Sequence, residues 1–216
     1  SVKKWIVLIA VFVFTAALTA GCGGQSQAPK EGDKAAPQPA AKQKIVLGSD
    51  TAYAPFEYFD EKSGKFIGFD IDLVNAVGEV ANLDIEVKSM NFDGLIPALE
   101  SATIDGAISA MTITEDRAKS VLFSDPYYLS NQSILVKMDN EAIKTWDDLK
   151  GKKLGVQLGT TGAMKAREVQ GAKVSDYATV NEAFLALQNG VVDAVVNDYP
   201  VSYFFVQKDD NSKKFK

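Results

Sequence analysis

Between Ile45 and Val196, short apolar stretches alternate with amphipathic ones, and this alternation leaves few architectures open to the chain. Ile45-Val46-Leu47-Gly48 predicts a short buried strand. Phe69 to Ala81 predicts a helix, with apolar residues recurring at Val74, Val77, Val80 and Ala81. Gly68 lets the chain turn into that helix, and Asp70 and Asp72 favour its amino end. Ile85-Glu86-Val87-Lys88 alternates as a strand does. Asp93 can cap a helix running to Glu100, with Pro97 tolerated in its first turn, and Ile104 to Ile108 gives the next buried strand. In the second half, Thr145 caps a helix that stops at Gly151, Lys153 to Val156 is a strand, and a helix starts from Ala163. Thr179-Val180-Asn181-Glu182 is a capping box for a helix ending near Asn189-Gly190, followed by the strand Val191 to Val196. Strands and helices in this order imply an α/β fold, with parallel sheets covered by helices.

A weak internal echo divides the chain. Leu99 to Ile108 and Leu187 to Val195 each read as a helix end, a tight loop and a strand carrying Asp followed by small and apolar residues. Two lobes of similar design would produce this echo, and so would coincidence, because helix-turn-strand units look alike. The expected boundary lies near Leu129 to Gln132, giving one lobe over residues 45–130 and a second over 131–216. Two-lobed α/β proteins bind ligands in the cleft, at the carboxyl ends of their strands.

Composition narrows the function. The chain has 216 residues, 46% hydrophobic and 24% charged, enough to bury a core. Its net charge is −5 with no basic stripe, which argues against nucleic acid as a partner. It contains no histidine, which excludes Ser-His-Asp and Cys-His catalytic sets and the usual zinc sites. Lys3 and Lys4 precede the apolar run Trp5 to Ala20, too short for a membrane-spanning helix of about 20 residues. The run ends at Thr19-Ala20-Gly21-Cys22, with small residues before the single cysteine. This stretch, residues 1–21, resembles a bacterial lipoprotein leader. The resemblance implies a lipid on Cys22 that anchors the protein to the outer face of the cell membrane. One departure is that leucine stands a place early, at Leu18, with Thr19 in its expected position. An ordinary cleaved signal and an uncleaved anchor are the other readings. A lone cysteine offers no disulfide framework. Residues 22–44, rich in Gly, Gln, Ala, Pro and Lys, are expected to form a flexible tether. The start at Ser1 rather than Met, and the stop at Lys214-Phe215-Lys216 in what reads as the beginning of a strand, give the expectation of a chain incomplete at both ends.

Six blocks, in order, carry a resemblance to a family. They are Ser49 to Tyr58 (SDTAYAPFEY), Gly68 to Leu73 (GFDIDL), Met111 to Arg117 (MTITEDR), Phe123 to Tyr127 (FSDPY), Gly159-Thr160-Thr161-Gly162, and Asp193 to Asp198 (DAVVND). Together they resemble the bacterial extracellular solute-binding proteins of family 3, which bind polar amino acids, and the resemblance covers Ile45 to about Phe205. It implies a two-lobed periplasmic-binding-protein-like fold of type II, truncated at its carboxyl end, with the return of the chain to the first lobe missing.

The resemblance also implies a site for a free L-amino acid, a zwitterion with three regions to satisfy. Its carboxylate suits the planar fork of an arginine, and Arg117 matches the family's arginine. The backbone amides of Thr160 and Thr161, leading into the helix from Ala163, would help. Read alone, Thr114-Glu115-Asp116-Arg117 is equally an ordinary helix start with Arg117 on the surface. The ammonium needs a carboxylate, and Asp198 matches the family's aspartate; as a bare sequence it is also a plain strand-to-turn residue. Ser109, Ala110 and Thr112 would add hydroxyl or backbone contacts. The side-chain pocket would lie between Tyr53 and Phe92, with Asp50 at its polar end and Asp70 a further candidate; both rings are otherwise core. Gln157 is expected at the same pocket. At Gln157 and Asn197 the sequence departs from the glutamine-specific branch of the family, which places basic residues there. With Asp50 and no cation in the pocket, a basic amino acid is easier to accept, although Asp50 can also accept from the amide of glutamine.

The expected mechanism is capture by lobe closure, followed by delivery to the permease and ATPase of an ABC importer. A monomer is expected, with no cofactor, no metal and no catalysis. Two other classes share the features above. Some dehydratases look like these binding proteins, but they need an acid or base not engaged with the zwitterion. A receptor ectodomain would need a transmembrane helix and a signalling domain, which this sequence does not carry.

Overall fold

The computed structural model describes residues 41–208 and 210–216. The expected leader, Cys22 and the expected tether as far as residue 40 lie outside the described residues. Strand β1 (Gln43–Ser49) begins two residues before the sequence suggests, because Gln43 and Lys44 extend its parallel pairing with β5 (Leu83–Ser89). Between them come three short strands that the hydrophobic pattern does not reveal. These are β2 (Ala52–Tyr53), β3 (Glu57–Asp60) and β4 (Lys65–Ile67), and they form an antiparallel sheet of their own.

Helix α1 (Phe69–Val80) follows immediately. Gly68 caps its amino end at φ 125°, and a Cβ there would meet the Phe56 carbonyl oxygen at 2.3 Å, so only glycine fits. Buried Ile71 and Val74 form the inner face of the helix, but of the apolar residues whose spacing predicts it only Val74 turns inward, and Val77, Val80 and Ala81 are exposed because the sheet covers one narrow face of the helix. Asp93 does not cap the next helix: a 3-10 turn, Phe92–Gly94, comes first and α2 (Leu95–Glu100) starts behind it. The strand expected over Ile104 to Ile108 shrinks to β6 (Gly106–Ala107), which completes a parallel sheet in the order β5-β1-β6. A single turn, α3 (Glu115–Ala118), carries Arg117.

Of the two sheets with parallel pairing, β5-β1-β6 is the first, and the second has the order β7-β10-β8-β9, built from β7 (Gln132–Leu135), β8 (Lys153–Gln157), β9 (Lys173–Tyr177) and β10 (Ala194–Asp198). Only β7 runs antiparallel. The helix expected after Thr145 is one 3-10 turn, Trp146–Leu149, although its capping box with Asp148 forms. Helix α4 (Thr161–Arg167) starts two residues before Ala163 and is capped by Thr160. Helix α5 (Val180–Gln188) has the predicted capping box, in which Thr179 Oγ1 accepts from Glu182 N and Glu182 accepts from Thr179 N. Val191 was expected in the next strand, but its N–H closes the end of α5 on Ala186 O and the strand begins at Ala194. Helix α6 (Tyr199–Gln207) follows β10 directly. Lys214–Lys216 exchanges ladder bonds with Val136–Met138, as an incipient strand would.

Both faces of the second sheet are buried. Val195 packs with Phe184 and Leu187 of α5 and with Phe215, while Ala194 and Val196 pack with Leu154, Val156 and Ala163. The core beside the first sheet is smaller, with Leu95, Ala98 and Ile104 at its centre.

Candidate functional site

Side chains from the two sheets with parallel pairing meet at the carboxyl ends of their strands. Asp50 follows β1, Gln157 ends β8 and Asp198 ends β10. Ser109 to Thr112 leads out of β6 toward Arg117. This is where parallel strands leave backbone and side chains free to converge.

Arg117 is 6% exposed. Its Nη1 donates to Thr112 O at 2.7 Å and its Nη2 to Gly159 O at 2.8 Å, so it ties the β6 loop to the turn before α4. The guanidinium carbon also lies 5.3 Å from the centre of the Phe92 ring. Neither bond goes to a carboxylate, and Arg117 forms no ion pair among the described residues. Burial lowers its pKa and the charge of Asp198 opposes that, but a guanidinium stays charged throughout. Asp198 accepts from Tyr53 Oη at 2.7 Å and from Gln132 Nε2 at 2.5 Å. Burial raises its carboxyl pKa, while these two bonds and Arg117 pull it down. A buried cation and a largely buried anion thus sense each other without pairing.

Asp50 is buried, and its carboxylate accepts from Gln157 Nε2; burial raises its pKa and that bond resists the rise. Gln157 Nε2 also donates to Ala178 O. Thr160 Oγ1 caps α4 and donates to Gln157 O, while Thr161 Oγ1 receives Gln132 Nε2 and lies 3.4 Å from Thr112 Oγ1. Asn181 Nδ2 donates to Ala52 O, a further bond between the two sides of the cleft. The ring of Tyr53 belongs to the core and stacks on Phe56, so its hydroxyl rather than its face serves the site. Burial, with Asp198 second, pushes that hydroxyl's pKa well up. Asp70 is wholly buried and lies behind the loop, accepting from Ala110 N and Tyr127 Oη.

A cavity of about 910 Å³ includes Ser109, Ala110, Thr112, Thr161 and Asp198 in its wall. It continues along Gly106 and Ala107 beneath the segment Val121–Leu129. The remaining expected residues, Asp50, Tyr53, Asp70, Phe92, Arg117, Gln157 and Thr160, lie off this cavity. Gln132 bridges Asp198 and Thr161 in the cavity wall and is a candidate that the sequence does not announce: its strand carries no pattern strong enough to place it.

Similarity to known proteins follows the same lines. Residues 45–211 match the bacterial extracellular solute-binding proteins, family 3. The arginine-binding extracellular protein ArtP of Bacillus subtilis is 35% identical over 212 residues, covering 96% of this chain and 78% of that protein. An ancestral arginine-binding protein solved with arginine superposes with a TM-score of 0.78 at 44% identity, over 82% of this chain and 78% of that one. An ancestral arginine-binding protein solved with glutamine gives 0.77 at 44% identity, over 81% of this chain and 77% of that one. With three quarters of its length inside the match, an α/β fold shared with these structures and family blocks meeting in one cleft, the chain belongs to the bacterial extracellular solute-binding proteins, family 3.

Proposed function

We propose that the two sheets are the cores of two lobes, and that the cleft between them captures a free polar L-amino acid. The observation that carries this is the unpaired opposition of Arg117 and Asp198. A buried charge without a partner is costly, and a zwitterion supplies both missing partners at once: its carboxylate for the Arg117 fork, its ammonium for Asp198. The amides at the start of α4 and the polar groups of Ser109, Ala110 and Thr112 would complete the cradle. Tyr53 and Gln132 hold Asp198 in place for this role.

The side chain of the ligand would extend toward Asp50, Phe92 and Gln157. A basic amino acid satisfies Asp50 by charge and Phe92 by stacking; glutamine satisfies Asp50 through its amide alone. The reading favours a basic amino acid with glutamine as the weaker ligand, and the arginine-binding relatives support the basic ligand. Bonds such as Arg117 to Gly159 O and Asn181 to Ala52 O already join the two sides, so a ligand contacting both would favour the closed arrangement. Delivery to an ABC permease and its ATPase, anchoring through lipid on Cys22 outside the cell membrane, and a monomeric state belong to the same proposal. No catalytic step is assigned. The dehydratase-like alternative predicts turnover of amino acids on prolonged incubation, and none is expected.

Calorimetric titration with L-arginine, L-lysine, L-histidine and L-glutamine tests the reading. Saturable binding of at least one, lost in Arg117→Ala, is the expected result. Equal affinity in the variant would remove the site assignment.

A further inference from the structure

Glu57 has no part in the cradle above, yet Glu57 and Asp70 are both 0% exposed. Glu57 opens β3 and Asp70 lies in the first turn of α1; the tight turn at Gly68 brings these elements together, with Asp70 N donating to Phe56 O at 2.9 Å. The hydrogen bonds around the two carboxyls fix where their protons lie. Asp50 N donates to Ser109 Oγ, and the Ser109 hydroxyl donates in turn to Glu57 Oε1, each at 2.9 Å. Asp70 Oδ2 accepts twice, from Ala110 N at 2.7 Å and from Tyr127 Oη at 2.8 Å. The two oxygens left over, Glu57 Oε2 and Asp70 Oδ1, are buried and meet no donor among the described residues, and Asp70 lies near enough to raise the pKa of Glu57.

Two buried carboxylates facing each other would repel strongly. One proton removes the conflict: carried on Glu57 Oε2 and donated to Asp70 Oδ1, it satisfies every oxygen of both groups. The beneficiary is Ala110. This residue is not glycine, yet it stands at φ 46°, in the left-handed region, and its N–H is the one that Asp70 accepts. Ala110 and Ser109 both line the cleft cavity.

We propose that Glu57 and Asp70 are a positioning pair, in which a single proton held between the two carboxyls locks Ala110 in its left-handed conformation and Ser109 in its orientation, keeping the ligand-binding loop in shape. This rests on reading the cleft as an amino-acid site. The groups facing Glu57 are Asp70 on α1, Asp50 after β1, Tyr53 on β2 and Tyr127 in the segment before β7, with no cation among them. Burial, then the charge of Asp70, pushes the Glu57 carboxyl up to about 11, against the pull of Ser109.

The sign of the pH effect follows. In the unfolded chain this carboxyl ionises near the ordinary value of 4.5, so the native state holds a proton that unfolding releases between that pH and about 11. Stability from this group is present below the lower value and declines as pH rises through the window. Glu57→Gln keeps an N–H donor for Asp70 and an acceptor for Ser109 but has no proton to lose. Urea unfolding at several pH values should show the wild type releasing one proton more than Glu57→Gln between about pH 5 and 10. Binding of L-arginine at pH 7 should fall roughly tenfold or more in Glu57→Leu, the worth of one lost hydrogen bond or more, and be largely restored in Glu57→Gln. The same pH dependence in wild type and Glu57→Gln overturns the proposal, as does full affinity in Glu57→Leu. Where Glu57→Leu does not fold, the proton count still decides. That count needs no ligand, so failure of the wild type to bind L-arginine would tell against the functional reading instead.

Discussion

In the proposed reading, Arg117 and Asp198 decide what the cleft can hold. Truncating Arg117 to Ala should cost about 3 kcal/mol of binding, roughly 100-fold in affinity, because a ligand carboxylate would then be buried without its fork. Arg117→Lys should recover little of this, since a single ammonium cannot replace two parallel donors. Circular dichroism should remain unchanged in both variants. The acidic partner, also raised by burial, gives a pH dependence that runs the other way from that of Glu57. Burial raises the Asp198 carboxyl, so acidification removes its charge earlier than for an ordinary aspartate. Affinity should fall on the acid side of neutrality and fall less in Asp198→Asn, where only the weaker neutral contact remains; titration across pH 4 to 8 checks this. Motif blocks made these two residues legible in the sequence, but not that each would be largely buried and sense the other's charge without an ion pair. The roles proposed for Glu57 and Gln132 were not legible in the sequence, because they depend on partners from other elements: Ser109 and Asp70 for the one, Asp198 and Thr161 for the other.

Among the elements, those with enough residues to show a period were readable. Helix α1, helix α5 with its capping box, and strands β1, β5 and β8 all fall within a few residues of their predicted bounds. The short strands were not readable, since β2 and β6 have two residues each and are strands only through distant partners. The helices expected from Asp93 and Thr145 show the converse, where a good cap or a plausible start yields only a 3-10 turn in part or all of the span. Gly68 carries the most structural weight for one atom. Gly68→Ala should destabilise by on the order of 2 kcal/mol or more, from left-handed strain plus the clash with Phe56 O, and should lower the urea midpoint accordingly. Thr179→Ala removes one side of the capping box of α5 and should cost about 1 kcal/mol by the same measurement.

The molecule as a whole is unevenly consolidated. The second sheet has packed layers on both faces, whereas the core at the first sheet centres on Leu95, Ala98 and Ile104 and the large cavity runs beside β6. Amide hydrogen exchange should therefore be slower in β8 and β10 than in β5 and β6. Ligand contacts on both sides of the cleft should narrow that difference, and a saturating amino acid at 100 times its dissociation constant should add about 2.7 kcal/mol to the stability of the whole. The most direct test of the account is calorimetric titration of L-arginine into the wild type, Arg117→Ala and Asp198→Asn at pH 7. Saturable one-to-one binding in the wild type, lost or weakened by roughly 100-fold in both variants with the fold intact, is the predicted result. Affinity unchanged in either variant would contradict the claim that Arg117 and Asp198 together hold a zwitterion.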